Sequence, residues 1–167
     1  TVDIIRRYQG RLAYWVSEPD GGQTDAINKG FARAKGELLM WLNSDDFLLP
    51  GALRAATECF SSHPEAGIIH GDALVVDQDG TRTGITRSGP FSLEGHITGK
   101  GPFMVQPSAL IHRRVMDSIG PLDAGLRYAM DYQVWLLAGY RFRFRYIPTA
   151  LSAYRDHPAT KRSEISI

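Results

Sequence analysis

Two adjacent carboxylates come directly after a short apolar run. Residues 38–42 form a continuous apolar stretch, as in a buried parallel strand, and Asn43-Ser44-Asp45-Asp46 follows without a spacer. Neighbouring carboxylates repel each other, and a cation shared with a ligand relieves that repulsion. Mg²⁺ is usually held by one or two carboxylates together with substrate phosphates. The residues alone leave two interpretations open: a metal site, or a turn ahead of the helix that begins near Pro50.

A glycine-containing loop occupies residues 17–25 and leads into a predicted helix. Backbone N–H groups at such a helix start are able to meet an anion. The alternative is an ordinary strand-to-helix turn with Thr24 or Asp25 as the helix cap, and the spacing favours that alternative. Asn28 and Lys29 on the same helix would face either solvent or a phosphate.

Two further groups carry chemistry near the carboxyl end of the sequence. Asp131 lies in the first turn of a predicted helix, where an acid is electrostatically stabilised and where it would also serve as a general base. Arg155, Asp156 and His157 follow a predicted strand. They would neutralise a leaving phosphate or bind a metal, whereas spacing alone favours a solvated loop.

These residues need a scaffold, and the sequence predicts alternating strands and helices. Helical spacing predicts helices over residues 24–35, 50–63, 112–118 and 128–139. Apolar, β-branched and aromatic runs predict strands over residues 12–17, 38–42, 68–76, 104–111, 142–147 and 151–154. Residues 77–80 predict a hairpin turn, and residues 81–102 predict loops with one short helix. The alternation in the first half favours an α/β sheet with parallel strands, whose ligand site lies beyond the carboxyl ends of the strands.

Length and composition exclude several classes of protein. The chain has 167 residues, 43% apolar and 22% charged, which suits one folded domain and excludes disorder. Nineteen basic against eighteen acidic residues give a net charge of +1, so no strong field attracts nucleic acid. Cys59 is the single cysteine, which excludes an internal disulfide and suits a reducing compartment. The sequence contains no Walker loop, no GxGxxG and no serine elbow.

The motifs as a set resemble the family 2 glycosyltransferases, and in particular the bacterial branch that builds surface polysaccharides. The resemblance begins with residues 15–30 and 41–46 and extends to about His157. The later motifs keep the family's order: Pro50-Gly51-Ala52-Leu53, Gly71-Asp72, Gln106-Pro107, Met130-Asp131-Tyr132 and Tyr154-Arg155-Asp156-His157. The resemblance implies an α/β fold of the GT-A type, with a mixed, Rossmann-like sheet flanked by helices. It also implies inverting, metal-dependent transfer of a sugar from a nucleotide-sugar donor to a hydroxyl, in polysaccharide or glycan biosynthesis.

The resemblance also implies roles for individual residues. Asn43-Ser44-Asp45 stands at the Asp-x-Asp motif, with an amide where the family usually has an acid. Asp45 would hold Mg²⁺ or Mn²⁺ against the donor diphosphate, and Asp46 would support it as a second metal-site residue. Asp131 would be the general base. The implied donor-binding residues are Asp20, Asp25, Lys29, Asn43, Ser44, Asp45 and Arg155; Gln106 would lie on the acceptor side, and His157 would be a further metal ligand.

The family's first strand, helix and strand, which cradle the nucleotide base, have no counterpart in residues 1–167. We therefore expect these residues to form one partial catalytic domain, amino-terminally truncated and without the base-binding carboxylate. The implied partners are a UDP-, GDP- or dTDP-sugar and a glycan or lipid-linked acceptor. The implied location is the cytoplasm, at the inner face of the plasma membrane by peripheral association.

Two alternatives remain at this point. The first is a truncated, non-catalytic domain that binds a sugar nucleotide or a protein partner. The second is another metal-dependent enzyme of nucleotides, such as a nucleotidyltransferase or a hydrolase, against which the absence of a glycine-rich phosphate loop weighs. Release of a nucleoside diphosphate rather than pyrophosphate would separate sugar transfer from the second alternative.

Overall fold

A computed structural model describes residues 1–126 and 128–156 of the chain. The helices are α1 (Val2–Tyr8), α2 (Gln23–Arg33), α3 (Ala52–Ser62), α4 (Leu93–Thr98), α5 (Arg113–Ile119) and α6 (Met130–Gly139). The strands are β1 (Leu38–Leu39), β2 (Phe47–Leu48), β3 (Ala66–Val76), β4 (Arg82–Thr86), β5 (Ala109–His112) and β6 (Arg143–Arg155). Short 3-10 turns cover Gln9–Arg11 and Gln106–Ser108. No helix in these described parts is long and apolar enough to cross a membrane.

The six described strands form one mixed sheet in the order β1-β5-β3-β6-β2, with β4 paired to β3. Only β3 and β6 run parallel among these pairs, and the others are antiparallel. The predicted mixed sheet flanked by helices is confirmed, whereas the prediction of parallel strands holds for the β3–β6 pair and fails for the other described pairs. The β3–β4 pair shows why in part: a tight hairpin joins these strands, and two strands joined this way must be antiparallel.

The parallel β3–β6 pair forms the centre of the sheet, and two glycines of β3 permit its close packing. A Cβ atom at Gly71 would lie 2.6 Å from the Thr149 carbonyl oxygen, and one at Gly67 would lie 2.6 Å from Phe142 Cβ. The register of β6 shifts beside Gly71, where Ile147 and then Ala150 are the paired residues. The two strands predicted over residues 142–147 and 151–154 are therefore one strand with a bulge.

Each face of the sheet is covered by a separate apolar cluster. On one face Ala56 and Phe60 of α3 pack on Ile69 and Leu110. These α3 residues are spaced by four, which places them on one side of that helix. On the other face Trp41 and Trp135 stack with ring centroids 6.3 Å apart, and the surrounding core residues come from α2, α5 and α6. Trp41 and Met130 of this second cluster lie two residues before Asn43 and directly before Asp131, so two predicted site residues border it.

Three predictions in the connecting segments have different outcomes. The predicted strand over residues 12–17 is wrong, because that segment lies outside any helix or strand and pairs with no described strand. Its Tyr14 and Val16 remain exposed. The predicted short helix within residues 81–102 is confirmed as α4, and the segment also contains strand β4. The predicted hairpin turn is confirmed, with the Asp77 N–H donating to the Thr81 carbonyl at 3.0 Å.

Candidate functional site

The Asn43–Asp46 turn follows β1 and is closed by its own side chains. The Asp46 N–H donates to the Asn43 carbonyl at 3.2 Å, and Asn43 Nδ2 donates to Asp46 Oδ2 at 2.9 Å. Gln23 Nε2, from the first turn of α2, donates to Asn43 Oδ1 at 2.8 Å. The amide at position 43 is therefore engaged on both sides, and it fixes the turn against the start of α2.

Asp46 is half-buried and receives hydrogen bonds at both carboxylate oxygens. Asn43 Nδ2 donates to Asp46 Oδ2, and the main-chain N–H of Arg155 donates to Asp46 Oδ1 at 3.3 Å. Burial raises the pKa of Asp46 above its ordinary value, and the donors from Asn43 and Arg155 act in the opposite direction. Asp46 thus joins the turn after β1 to the carboxyl end of β6.

Asp45 and Asp46 together provide a donor set of carboxylate oxygens. Within residues 1–126 and 128–156, no three His, Cys, Asp or Glu side chains are grouped to hold a metal ion. Two carboxylates fit the kind of Mg²⁺ site that substrate phosphates complete, and hard cations prefer oxygen. Both oxygens of Asp46 accept hydrogen bonds, so Asp46 contributes to the shape of the turn. His157, a predicted ligand, lies outside the described residues.

The glycine loop before α2 is organised by two acidic side chains. Asp20 Oδ1 accepts the Gly22 N–H at 2.9 Å, and Asp25 Oδ2 accepts the Gly21 N–H at 3.0 Å. Gly22 has φ +109°, a backbone conformation that side chains with a Cβ rarely adopt. The predicted donor residues Asp20 and Asp25 are therefore brought together around one tight turn, and they fix its shape.

Lys29 lies behind this turn between two acidic groups. Its Nζ is 2.9 Å from Glu18 Oε1 and 3.2 Å from Asp25 Oδ2. Hydrogen bonds to Glu18 and, to a smaller extent, to Asp25 raise the pKa of Lys29. The pKa of Asp25 is lowered mainly by the hydrogen bond from the Gly21 N–H and, to a smaller extent, by the hydrogen bond from Lys29. Glu18, which belongs to the glycine-containing loop over residues 17–25, is the third member of this ion-pair group.

Asp131 lies in the first turn of α6, next to the start of α2. Its Oδ1 accepts the Tyr132 N–H at 2.8 Å, and burial raises the pKa of its carboxyl group. Thr24 Oγ1 lies 3.0 Å from Met130 Sδ, a contact across 106 residues of sequence. Consecutive residues of α2, Gln23 and Thr24, therefore contact the Asn43–Asp46 turn and the Asp131 turn respectively.

Gln106 and Arg155 reach the site in different ways. Gln106 is buried and its Nε2 donates to the Trp41 carbonyl at 2.7 Å, two residues before Asn43. The Arg155 guanidinium donates to the carbonyls of Asp77 and Gln78, at 2.7 Å each. Arg155 therefore approaches Asp46 through its main chain, while its side chain holds the β3–β4 turn.

The sequence predicts the carboxylates of the site but not the contacts that connect them. Gln23 falls in the loop expected at the ligand edge and Thr24 is a candidate helix cap, but their contacts with Asn43 and Met130 were not predicted, since these partners are distant in sequence. The available signal was their position directly after Gly21-Gly22 at a helix start, where polar side chains face the ligand edge of an α/β sheet.

The chain is similar in sequence to proteins from several bacteria. The chain is 36% identical over 130 residues to an uncharacterized glycosyltransferase, MT1564, of Mycobacterium tuberculosis (strain CDC 1551), covering 76% of this chain and 48% of that protein. It is 28% identical over 142 residues to an uncharacterized glycosyltransferase, YwdF, of Bacillus subtilis. The match covers 82% of this chain and 52% of YwdF. The O-antigen biosynthesis protein RfbC of Myxococcus xanthus is 29% identical over 130 residues, which are 77% of this chain and 10% of RfbC.

The fold also matches solved structures. The crystal structure of Staphylococcus aureus TarS 1–349 in complex with UDP-GlcNAc superposes with a TM-score of 0.74 at 17% identity, over 99% of this chain and 49% of TarS. The fold is thus that of the GT-A glycosyltransferases. The chain spans about half the length of MT1564, YwdF and this TarS structure.

Residues 1–120 match the family described as Glycosyl transferase family 2. That match includes the glycine loop, the Asn43–Asp46 turn and Gln106, and it ends before α6. On this match, which covers more than half of the sequence, the chain belongs to glycosyl transferase family 2.

Proposed function

We propose that this chain carries the donor site and the base of an inverting, metal-assisted glycosyltransferase. The observation that carries the proposal is the double contact of α2: Gln23 with the Asn43–Asp46 turn, and Thr24 with the start of α6. One helix end thus lies between the paired carboxylates and Asp131. Donor binding and proton removal need these groups within one site.

The donor is a sugar activated by a nucleoside diphosphate. Asp45 would hold Mg²⁺ or Mn²⁺ with the diphosphate, and Asp46 would keep the turn in place. The ion, when bound, neutralises the charge that develops on the departing diphosphate. Asp20, Asp25, Lys29 and Ser44 would border the sugar nucleotide. The UDP-GlcNAc in the TarS complex supports this class of donor.

Asp131 accepts the proton of the acceptor hydroxyl. As that proton moves to the carboxylate, the acceptor oxygen forms a bond to the anomeric carbon from the face opposite the leaving group. The bond between the anomeric carbon and the diphosphate oxygen breaks, and the nucleoside diphosphate departs. A single displacement of this kind inverts the anomeric centre and requires no protein nucleophile. A carboxyl group with a raised pKa suits this role, because its basicity is closer to that needed near neutral pH.

The acceptor is a glycan hydroxyl in the synthesis of a surface polysaccharide. The name of RfbC, an O-antigen biosynthesis protein, supports this assignment. Gln106 would stand on the acceptor side, with its amide held by the Trp41 carbonyl.

Two measurements test the proposal. Calorimetric titration with UDP, GDP and dTDP, each with and without MnCl₂, should show metal-dependent binding of one nucleotide. Incubation of the matching nucleotide hexoses with p-nitrophenyl glycosides should then release nucleoside diphosphate, and proton NMR of the product should show an inverted anomeric configuration. Retention of configuration would contradict the mechanism. Metal-dependent binding without transfer would favour the non-catalytic alternative, and pyrophosphate release would favour a nucleotidyltransferase.

A further inference from the structure

Tyr132 connects the proposed base to helix α4. Its main-chain N–H donates to Asp131 Oδ1 at 2.8 Å, and its phenol hydroxyl donates to the carbonyl oxygen of His96. The same residue therefore holds the carboxylate with its backbone and contacts a second helix with its side chain. These two contacts connect the first turn of α6 to α4.

The α4 side of this contact is fixed by several interactions. His96 is buried, and its ring stacks on the Tyr132 ring with centroids 5.8 Å apart at 28°. His96 Nδ1 lies 3.1 Å from the Ser92 carbonyl oxygen, which fixes the ring within its own helix. The His96 ring also lies beside Phe91, at 4.6 Å between centroids, and Phe91 stacks on Phe144 of β6 at 3.8 Å. A continuous column of rings therefore anchors Tyr132 to the sheet.

The start of helix α6 is restrained by these contacts. The residue before the helix is Ala129, whose methyl side chain offers no hydrogen-bond acceptor to the first turn. The first turn of a helix leaves its N–H groups without helical partners, and it frays unless something satisfies or restrains it. Asp131 accepts one of those N–H groups, and the Tyr132 hydroxyl restrains the turn from outside.

We infer that Tyr132 is a positioning residue for Asp131, and that α4 is the element through which it acts. The inference rests on the proposed function, since it assigns a role in delivering the acceptor proton to Asp131. The Tyr132 hydroxyl is engaged by the His96 carbonyl, so its role is to hold the base and not to transfer a proton. Sugar transfer then depends on the α4 segment, which carries none of the donor-site residues.

The test is Tyr132→Phe, which removes one oxygen and keeps the ring. A general base held in the wrong orientation loses about tenfold to 10²-fold in rate, so we expect kcat for transfer to fall by about that factor. The dissociation constant for the nucleoside diphosphate should stay within about twofold. Tyr140→Phe is the matched control, because Tyr140 lies just past the other end of α6 and is 83% exposed. It should leave kcat unchanged.

A second readout separates positioning from general stability and does not require activity. The Asp131 carboxyl is titrated by carbon-13 NMR, with its signal assigned by its loss in Asp131→Asn. The Tyr132 N–H lowers the pKa of Asp131, so loosening that bond in Tyr132→Phe should move the titration midpoint upward. A purely structural role would lower the melting temperature and leave this midpoint where it is.

An unchanged Asp131 midpoint in Tyr132→Phe would overturn the inference, and so would an unchanged kcat. If Tyr132→Phe does not fold, His96→Ala takes its place, because it removes the stacked ring and keeps the main-chain carbonyl. In His96→Ala the titration midpoint of the Asp131 carboxyl must also rise, and an unshifted midpoint overturns the inference. If the wild-type protein transfers no sugar, the proposed function fails, whereas the NMR titration still decides whether Tyr132 positions Asp131.

Discussion

Gln23 Nε2 donates to Asn43 Oδ1 at 2.8 Å, and this bond sets the orientation of the Asn43 side chain. With Oδ1 accepting from Gln23, the amide nitrogen faces Asp46 and donates to it at 2.9 Å. An aspartate at position 43 has no donor for Asp46. The amide at the first place of the family's acidic motif therefore fits its surroundings in this chain.

Asn43→Asp should destabilise the protein at pH 7. The substitution removes a hydrogen bond to a charged group and places a second carboxylate against half-buried Asp46, at a cost of about 2 kcal/mol in the free energy of unfolding. Urea unfolding measures this free energy. Asn43→Ala is the control, since it loses the hydrogen bond without adding charge. The explanation fails if Asn43→Asp is no less stable than Asn43→Ala.

Asp45→Asn should abolish the dependence of nucleotide binding on Mn²⁺. Removing a carboxylate ligand weakens the binding of a hard cation. We therefore expect the gain in UDP affinity that MnCl₂ produces to fall by more than about tenfold. Calorimetric titration with and without the metal measures the gain. Asp117→Asn removes an exposed carboxylate from α5 and serves as the control. Equal gains in Asp45→Asn and wild type would remove Asp45 from the metal site.

Asp131→Asn should separate binding from turnover. An asparagine cannot accept the acceptor proton, so transfer should slow by about 10²-fold or more. The affinity for nucleoside diphosphate should change little, because Asp131 lies on α6 and the Asn43–Asp46 turn is held by α2. Initial rates at saturating donor, compared with calorimetric titration of the same protein, measure both quantities. Transfer at the wild-type rate would exclude Asp131 as the base.

His70 should make the fold less stable in mild acid. It is fully buried in β3, its Nδ1 lies 3.1 Å from Ser88 Oγ, and its Nε2 has no hydrogen-bond partner among the described residues. Burial is the main cause that lowers the pKa of His70, from 6.5 to about 4. The unfolded chain binds more protons than the folded one between these values, so stability falls as pH decreases below 6.5.

The expected loss at His70 between pH 7 and pH 5 is about 2 kcal/mol in the free energy of unfolding. Urea unfolding at the two pH values measures it. His70→Gln stays neutral across this range and keeps a polar group near Ser88, so the pH dependence of its stability should be smaller by about this amount. The same pH dependence in both proteins would show that other groups cause it.

The sequence predicted the parts of the fold that depend on local patterns. Helices α2, α3, α5 and α6 appear where apolar spacing predicted them, and the paired carboxylates follow a short strand as expected. Strand direction was not predictable, because it depends on which segments meet across the sheet. The segment over residues 12–17 shows the same limit, since its strand-like composition finds no pairing partner among the described strands.

The candidate site also has a part that the sequence predicts and a part that it does not. Asp45, Asp46 and Asp131 carry chemistry that their residue types reveal. Gln23 and Thr24 act through contacts to Asn43 and to Met130, which are 20 and 106 residues away. Such contacts leave no period or spacing in the sequence. Distant pairing of this kind becomes visible only when the sheet brings the segments together.

The hydrogen bond between the Arg155 N–H and Asp46 has a consequence for the order of folding. It joins residues separated by 109 positions, and it depends on the β3–β6 pair, whose second strand begins at Arg143. Long-range pairing of this kind is slow, and synthesis delivers β6 after every other described element. A nascent chain that ends before β6 therefore has an Asp46 without its second donor. The hydrogen bonds of the Asn43–Asp46 turn are therefore complete only when β6 has left the ribosome and joined the sheet.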